Sequence, residues 1–371
     1  MIKAKVSIIT VVYNAVDTIE RTIKSVLDQD YENVEYIIID GASTDGTTDI
    51  LKKYKSKISR IISEPDDGIY YAMNRGIQEA TGEVIGILNS DDWYEKNVLS
   101  QIIKVFETRE TDIVYGKIKR VYNNGKIEEV DRVVPLDTIW YNMAVYHPAT
   151  FVRKSVYNKV GYFDTSYRIA SDYDFILRCY IDNIKFTYYN QYLTNFSLGG
   201  VSSNMLACTK EHIKIAQKYI SKCPNPEIVE KELRWKWNRA ILDNVLKRNP
   251  KIIVSVLEEY FHLGKVDKII IWGTGLLGHY LFDTFEQQRI KIEYFIDSDV
   301  EKCGKNINGL KIKLPEEAVN DIHIPIIVAI KDSNNKITID IMNKGFEKQR
   351  FITLNDIFNK VYENAYGDIN V

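Results

Sequence analysis

The sequence predicts an α/β protein with a larger domain built on a mostly parallel sheet, a helical linker and a second, smaller α/β domain. Short apolar runs alternate with helical spacing over residues 6–88, which is typical of βαβ units. Residues 206–264 keep helical spacing, and a glycine-rich turn after residue 272 restarts the strand–helix–strand pattern. We therefore expect domains at 1–205 and 265–355, the linker at 206–264 and a carboxyl-terminal tail at 356–371.

Composition and charge exclude several classes of protein. Lys plus Arg number 49 and Asp plus Glu 51, so the net charge of −2 gives no attraction to nucleic acid, and we expect no nucleic-acid partner. No apolar run reaches the ~18 residues of a membrane span, and the amino terminus leads into a strand rather than a signal peptide. Four cysteines without paired spacing indicate a reduced, cytoplasmic protein rather than a disulfide framework or a zinc site.

Four apolar, β-branched runs predict the parallel strands of the first domain, at residues 6–12, 34–39, 58–62 and 84–88. Between the first two, apolar residues recur at helical spacing from Ile19 to Leu27. The carboxyl ends of parallel strands meet at one edge of a sheet, and open α/β sheets bind their ligands there.

A polar cluster lies at the end of each run, at residues 10–14, 40–47, 64–68 and 89–92. Turn chemistry alone explains any single cluster, but four at one sheet edge indicate a ligand site. The last cluster holds the adjacent carboxylates Asp91 and Asp92, which are costly to keep together unless a cation neutralises them. This turn therefore predicts a divalent cation bound together with the phosphates of a ligand.

Three of these segments resemble the GT-A fold, family 2 inverting glycosyltransferases: VSIITVVYN at 6–14, DGASTDGT at 40–47 and LNSDD at 88–92. The resemblance covers residues 4–205. It implies transfer of a sugar, with inversion, from a nucleotide-diphosphate donor to an acceptor hydroxyl, with Mg2+ or Mn2+ as the cofactor. It also implies a glycan or lipid-linked saccharide acceptor in cell-surface polysaccharide or glycolipid biosynthesis.

The resemblance also assigns roles to individual residues. The Asp-x-Asp position falls on Asn89-Ser90-Asp91, so Asp91 is the expected metal ligand, and Asn89 departs from the acidic form of the motif. Asp92 is expected to orient Asp91 or a bound water. Asp40 is expected to pair with the base, and UDP is the expected nucleotide because a carboxylate suits the imide of a pyrimidine.

Further donor contacts are expected from the other polar clusters and from a segment at 68–74 that resembles a family segment near the diphosphate. Relatives often carry Asp where this chain has Tyr71. The expected donor-binding residues, besides Asp40, are Thr10, Tyr13, Asn14, Asp66, Gly68, Asn74, Asn89 and Ser90.

Asp172 is the candidate general base. In the sequence alone it is equally explained as an acid in the first turn of a helix that Ser171 caps. The resemblance favours the catalytic interpretation, because the family's base is an Asp at such a helix start. His147 is either a structural histidine or a contact to the acceptor or the diphosphate, since related sequences carry His there.

Two later segments have open interpretations. The small residues at 197–203 resemble a family loop that closes over the donor, which requires a permissive backbone. Residues 234–239 are basic and aromatic, and either lie on a membrane surface or pack between domains; we favour packing. We expect the protein to be cytoplasmic, and to lie at the inner face of the membrane if residues 234–239 lie on a membrane surface.

The smaller domain carries the pattern of a dinucleotide-binding fold. Gly273, Gly275 and Gly278 follow the predicted strand 268–272 and open a helix, and Asp297 ends the next strand at 292–296. A further strand is predicted at 325–330. The unit resembles the small Rossmann-like domains appended to some sugar-modifying acyl- and methyltransferases. Nucleotide binding without redox chemistry and a purely structural role are the favoured alternatives, ahead of hydride transfer.

Two functions from other classes remain as alternatives to the glycosyltransferase. The departure at Asn89 allows a non-catalytic protein that binds nucleotide sugars as a sensor or scaffold, although both Asp91 and Asp172 are present. The second alternative is an NAD-dependent oxidoreductase whose reaction takes place in the smaller domain. The sequence contains no signal for an oligomeric state.

Overall fold

The computed structural model describes residues 4–131, 133–200, 204–249, 251–321, 323–330 and 336–366. The chain divides into two compact units, with the division between Val229 and Glu230. The division falls inside the segment 206–264 that the sequence predicts as a helical linker. Each unit has its own sheet, as the predicted fold class requires.

The first unit alternates strands and helices as far as β4 and then becomes mixed. Its strands are β1 Val6–Val12, β2 Val34–Asp40, β3 Arg60–Ser63, β4 Val84–Asn89, β5 Trp93–Tyr94, β6 Ile113–Val121, β7 Ile127–Glu129, β8 Thr150–Arg153 and β9 Phe186–Ser197. Its helices are α1 Ile19–Leu27, α2 Thr47–Tyr54, α3 Ile69–Glu79, α4 Val98–Thr108, α5 Lys154–Val160, α6 Ser171–Ile181 and α7 Met205–Tyr219, with short 3₁₀ helices at Leu136–Trp140 and His147–Ala149.

The predicted parallel strands form one side of a sheet ordered β3-β2-β1-β4-β8-β6-β9-β5. Val12 pairs with Asp40, Asp40 with Ser63, and Val11 with Asn89, all in parallel register. The polar clusters that the sequence places after β1, β2, β3 and β4 therefore do meet at one edge of the sheet.

The other side of the sheet returns the chain to that edge. β8 is antiparallel to β4 and to β6, while β9 runs parallel to β6 as far as the pair Val121–Ser197. β5, which directly follows the turn after β4, is antiparallel to β9. A hairpin joins β6 and β7, with Gly125 at φ 80° in its turn.

Apolar residues of the strands, including Val6, Ile8, Leu88 and Val114, pack against α1 and α4 on one face of the sheet. On the other face α3 lies so close to β1 that a Cβ built on Gly76 would be 2.4 Å from Cγ2 of Ile9. This contact fixes α3, and with it Tyr70, over the strands that carry the polar clusters.

One predicted cap is wrong. α6 begins at Ser171 itself, its N-cap residue is Ala170, and no side chain caps it. Among the described residues, the buried Ser171 hydroxyl oxygen finds no hydrogen-bond partner. The reason is that the backbone already turns helical at Ser171, so its hydroxyl cannot reach the amides that an N-cap residue bonds.

The second unit contains a six-stranded sheet in the order β12-β13-β11-β10-β14-β15. Its strands are β10 Lys268–Trp272, β11 Lys291–Ile296, β12 Asn306–Ile307, β13 Leu310–Lys313, β14 Ile326–Val328 and β15 Phe351–Thr353. Its helices are α8 Pro226–Arg248, which spans the division, α9 Ile252–Tyr260, α10 Leu276–Gln287, α11 Pro315–Ala318, α12 Lys336–Asn343 and α13 Leu354–Tyr366.

The strand–glycine turn–helix–strand order predicted for the second unit is present, and β10 is parallel to both β11 and β14. Residues 356–366, expected to form a tail, are instead part of α13. This helix packs inside the unit, with Lys360 paired to Glu259 at 3.1 Å and Phe358 against Trp235 at 5.0 Å between ring centroids. In the described residues, no helix is both long and apolar enough to cross a membrane.

Candidate functional site

The turn after β4 is held by residues that are distant in sequence. Asp92 is fully buried, and its Oδ1 accepts the backbone N–H of Ser197 at 2.9 Å. The carbonyl of Asp91 accepts the Ser197 hydroxyl at 2.6 Å and Nη2 of Arg21 at 2.8 Å. Thr22 Oγ1 lies 2.9 Å from the Ser90 carbonyl and 2.7 Å from the Asp92 carbonyl. α1 and the end of β9 thus clamp the turn from two sides.

This turn is electrostatically unfavourable without a cation. Burial raises the pKa of Asp91, and burial together with the neighbouring Asp91 charge raises the pKa of Asp92 well above its ordinary range. The guanidinium of Arg21, stacked 3.6 Å above the Trp93 ring, opposes both shifts only in part. Two acids are therefore kept close together where neither ionises easily.

Within the part of the chain that the structure describes, two buried oxygens at the turn have no hydrogen-bond partner, Oδ1 of Asn89 and Oδ2 of Asp92. Leaving buried acceptors unsatisfied is costly, and hard divalent cations are bound by such oxygens. Among the residues the structure describes, no three His, Cys, Asp or Glu side chains are grouped to hold a metal. The donor set at this turn fits a cation that takes its remaining ligands from a bound phosphate.

The residues expected at the nucleoside end have different environments. Asp40 is fully buried, and its carboxylate accepts the hydroxyls of Ser43 and Ser63, each at 2.5 Å. Thr10 is also fully buried, with its hydroxyl 3.1 Å from that of Tyr36. Neither side chain is free to meet a ligand in this arrangement. Asn14, at φ 48°, accepts the backbone N–H of Thr44 at 2.9 Å and so shapes the loop after β2.

The exposed groups at this corner are Tyr13 and Asp66. Tyr13 has 67% of its side chain exposed. A Cβ built on Gly41 would lie 3.3 Å from the Tyr13 ring and 3.0 Å from Oδ2 of Asp66, so the glycine leaves the space between them open. Asp66 Oδ1 accepts the N–H of Gly68 at 2.8 Å, and Gly68 has φ 134° with open space above it. Gly41 thus lies between the exposed ring of Tyr13 and the exposed carboxylate of Asp66.

Asn74 has a different position from that expected of a donor contact. Its side-chain amide donates to the carbonyl of Phe163 at 2.9 Å and accepts the Phe163 N–H at 3.0 Å. Both functional ends of the amide are therefore used to attach α3 to the loop before α6.

Asp172, the candidate base, lies in the first turn of α6 and faces α3. Its Oδ1 accepts the Tyr70 hydroxyl at 3.2 Å and the N–H of Tyr173 at 2.9 Å. Burial raises the pKa of Asp172, while the charge of the nearby His147 and the hydrogen bonds partly oppose the rise. Burial in turn lowers the pKa of His147, whose ring packs edge-on against Phe163 at 5.9 Å. Asp172 and His147 therefore lie close enough for the charge of each to affect the pKa of the other.

Asp174, two residues further along α6, does not lie with Asp172 and His147. It is fully buried and bonded to Arg178 at 2.7 Å and to the Tyr219 hydroxyl at 3.0 Å. Asp172 and Asp174, two positions apart on α6, thus lie on different faces of the helix.

Sequence reasoning missed Arg21, Thr22, Tyr70 and Ser197. Arg21 and Tyr70 lie in helices whose apolar spacing identifies only their buried faces, so no local pattern marks a polar residue that points at a site. Ser197 was grouped with the loop 197–203, of which residues 201–203 lie outside the described residues. Trp93 directly follows the two acids, so its position in the sequence could have indicated that it lies at this site.

In the second unit, two of the three glycines are explained by packing alone. A Cβ on Gly278 would be 2.0 Å from the carbonyl oxygen of Gly273, and Gly273 itself, at φ 116°, lies against the carbonyl of Ala329. A Cβ on Gly275 would meet nothing within 4 Å. Asp297 accepts the Thr274 hydroxyl and, at 3.2 Å, the ammonium of Lys302, so its carboxylate is already paired.

Comparison with known proteins identifies two families, one in each part of the chain. The family described as Glycosyl transferase family 2 matches residues 7–169, and the family described as C2185-like, N-terminal, matches residues 265–352. An uncharacterised glycosyltransferase of Mycobacterium tuberculosis is 33% identical over 187 residues, which are 47% of this chain and 68% of the relative. A PGL/p-HBAD biosynthesis glycosyltransferase of Mycobacterium bovis is 28% identical over 215 residues, 56% of this chain and 82% of the relative.

Among solved structures, the mannosyltransferase PcManGT from Pyrobaculum calidifontis, in complex with GDP-Man and Mn2+, shares the fold with a TM-score of 0.53. The match covers 77% of this chain and 80% of that protein at 16% sequence identity. At this identity the likeness concerns the fold alone.

Proposed function

This chain belongs to glycosyl transferase family 2, and from that premise we propose that its first unit moves a sugar, with inversion, from a UDP-sugar to an acceptor hydroxyl. The observation that carries the proposal is a pair of sites formed by the same unit. One is the turn at 89–92, with unsatisfied buried oxygens suited to a cation. The other is Asp172, a half-buried carboxylate whose raised pKa suits proton transfer.

Asp172 is the general base. It takes the proton of the acceptor hydroxyl as that oxygen bonds to the anomeric carbon, and the bond from the carbon to the donor phosphate breaks on the opposite face. The nucleoside diphosphate leaves with the bonding electron pair. Base assistance of this kind contributes about 10²–10⁴-fold to a rate. The Tyr70 hydroxyl and the Tyr173 N–H hold Oδ1 of Asp172, so its other oxygen is left for the acceptor.

Asp91, with Oδ1 of Asn89 and Oδ2 of Asp92, would hold Mg2+ or Mn2+ together with the donor diphosphate. Such an ion supplies compensation for the negative charge that develops on the leaving phosphates. The Mn2+ in the complex of the mannosyltransferase with the same fold supports this assignment. Because Asn89 replaces an acid, we expect tight metal binding only when the diphosphate is present.

Tyr13 and Asp66 are the side chains we propose to meet the nucleoside, with the ring stacking on the base above Gly41. The Asp40 carboxylate supports this corner by accepting the hydroxyls of Ser43 and Ser63. It would pair with the base if donor binding breaks these hydrogen bonds. The N–H groups after Gly68, at the start of α3, are suited to the diphosphate. His147 lies beside the base and is proposed to contact the acceptor or the diphosphate.

The acceptor is proposed to be a glycan or a lipid-linked saccharide, and the similarity to a Mycobacterium bovis glycosyltransferase named for PGL/p-HBAD biosynthesis supports a biosynthetic role. We propose a cytoplasmic protein. Trp235, in the basic aromatic segment 234–239, packs on Phe358 within the second unit, which supports packing rather than a membrane-surface role.

For the second unit we propose nucleotide binding at Gly275 without redox chemistry. Asp297 is already paired with Thr274 and Lys302, which argues against its binding the ribose of NAD. Isothermal titration calorimetry with NAD(H), UDP and AMP separates the alternatives. Binding of NAD(H) would favour an oxidoreductase, and no binding at all would favour a structural role.

A donor screen tests the function of the first unit. Release of nucleoside diphosphate from UDP-, GDP- and dTDP-sugars is measured with Mn2+ and with excess chelator, for the wild type and for Asp172→Asn. Asp182→Asn is a matched control, because Asp182 lies exposed at the other end of α6. We expect turnover of a UDP-sugar that requires metal and Asp172. Donor binding without any turnover would instead support the non-catalytic scaffold.

A further inference from the structure

One carboxylate outside the proposed site bonds the backbone directly ahead of the catalytic helix. Glu211, on α7, accepts three successive backbone N–H groups: Arg168 at 2.9 Å on Oε1, and Ile169 at 2.8 Å and Ala170 at 2.9 Å on Oε2. Ala170 is the residue before α6, and Asp172 is the second residue of that helix. Hydrogen bonds to an ionised carboxylate are stronger than neutral ones, so this is a firm anchor for the loop.

The anchor continues to Asp172 through a single peptide group. The N–H of Ala170 and the carbonyl of Ile169 belong to one peptide plane. The N–H donates to Glu211, while the carbonyl accepts the Tyr70 hydroxyl at 2.7 Å. The same hydroxyl lies 3.2 Å from Oδ1 of Asp172. The Tyr70 hydroxyl has one proton, which it shares between the Ile169 carbonyl and Oδ1 of Asp172, so the carbonyl fixes where the Tyr70 oxygen lies beside the carboxylate.

We propose that Glu211 is a positioning residue for sugar transfer, which sets the place and orientation of the Asp172 carboxylate through the Ile169–Ala170 peptide and Tyr70. The proposal rests on the proposed function, because it takes Asp172 as the base. Glu211 itself does not touch the reacting atoms. Its role is to keep the base in the geometry that proton transfer requires, where small displacements are costly.

The other contacts between α6 and α7 make this proposal testable without unfolding the protein. The Tyr219 hydroxyl donates to Asp174 at 3.0 Å, and the ring of His212 stacks on Tyr173 at 4.5 Å between centroids. These contacts hold the two helices together when Glu211 is changed. Tyr219→Phe is therefore a control that weakens helix docking but leaves the loop before α6 bonded.

The experiment compares wild type, Glu211→Gln, Glu211→Asp, Tyr219→Phe and Lys210→Ala, the last changing an exposed neighbour on α7. Hydrogen–deuterium exchange follows the amides of residues 168–170, and steady-state kinetics use the UDP-sugar that the donor screen finds most active. For Glu211→Gln we expect about tenfold faster exchange at 168–170 and about tenfold lower kcat, with donor KM within about twofold of wild type. Glu211→Asp should recover part of kcat, and both controls should keep it.

Unchanged exchange at 168–170 in Glu211→Gln overturns the anchor. Accelerated exchange with unchanged kcat, or an equal loss of kcat in Tyr219→Phe, overturns the positioning role and leaves only helix docking. If the wild type turns over no donor, the proposed function fails and the positioning role fails with it. The exchange measurement then still decides whether Glu211 anchors the loop, so the two failures are told apart.

Discussion

The backbone N–H of Ser197 donates to Oδ1 of Asp92 at 2.9 Å, across 105 positions of sequence. The turn that follows β4 is thus completed by the last residue of β9, and one oxygen of Asp92 is satisfied while the other is not. A buried acid with one free oxygen, beside the carboxylate of Asp91, costs stability that a cation would return.

Asp92→Asn should stabilise the protein in the absence of metal. The pKa of Asp92 is raised by burial and by Asp91, so the folded state binds a proton more tightly than the unfolded state does. Stability from this group is present at low pH and is lost as the pH rises above the ordinary Asp value of about 3.9. We expect the variant to gain about 1–3 kcal/mol in free energy of unfolding at pH 7, and little near pH 3.

Urea unfolding at pH 3 and pH 7 with chelator measures this difference. Asp182→Asn serves as the exposed control and should change stability by less than about 0.5 kcal/mol at both pH values. An Asp92→Asn protein that is less stable than wild type at pH 7 would contradict the account of the unsatisfied carboxylate.

Mn2+ with UDP should raise the melting temperature of the wild type more than either ligand alone. A ligand that binds only the folded state at 100 times its Kd stabilises by about 2.7 kcal/mol. Asp91→Asn should lose most of the metal-dependent part of the shift while retaining the shift due to UDP. Differential scanning fluorimetry over a matrix of Mn2+ and UDP concentrations measures both parts. An equal metal-dependent shift in Asp91→Asn would remove Asp91 as a ligand.

Activity should be lost on acidification at a pH above the ordinary pKa of Asp, which defines the acid limb of the profile. The reason is that burial raises the pKa of Asp172 and the base must be ionised to act. Tyr70→Phe removes a hydrogen bond that lowers this pKa. The limb should therefore move to higher pH in the variant, and kcat at its optimum should fall about tenfold. Profiles of kcat against pH for both proteins test this. A limb that moves to lower pH would contradict the assigned contact.

Gly275→Ala and Gly278→Ala should have opposite outcomes in the second unit. A Cβ at Gly278 would collide with the Gly273 carbonyl, so this variant should lose more than about 3 kcal/mol or fail to fold. A Cβ at Gly275 meets no protein atom within 4 Å, so stability should be unchanged or about 0.4–1 kcal/mol higher. If the turn binds a nucleotide, Gly275→Ala should abolish the heat of binding in calorimetry. Undiminished binding would locate the ligand elsewhere.

Much of the fold could be predicted because the parallel strands are apolar, β-branched and closely spaced. β1 begins and ends where the sequence predicts, and β2 and β4 differ only by one residue at their ends. The convergence of the polar clusters follows from the parallel arrangement alone. The hairpin at Gly125 and the glycine turn before α10 were readable from local turn chemistry.

The environment of each site residue could not be predicted in the same way. Asp40 and Asp66 both follow strands and look equivalent in sequence, yet Asp40 is enclosed by Ser43 and Ser63 while Asp66 is exposed. That difference depends on which loop covers which strand end. Arg21 and Ser197 reach the turn after β4 only through the order of strands in the sheet, which no local pattern specifies.

The pairing of β9 with the turn after β4 also bears on how the protein is made. During synthesis on the ribosome, β1 to β4 emerge early and can pair as a parallel sheet, since all four lie within the first 89 residues. The two acids at 91 and 92 then lack the contacts from the end of β9 until more than a hundred further residues have been added, and only α1 holds the turn. Nascent chains stopped before Ser197 would hold a preformed sheet but no organised cation turn, so binding competence should appear late in translation.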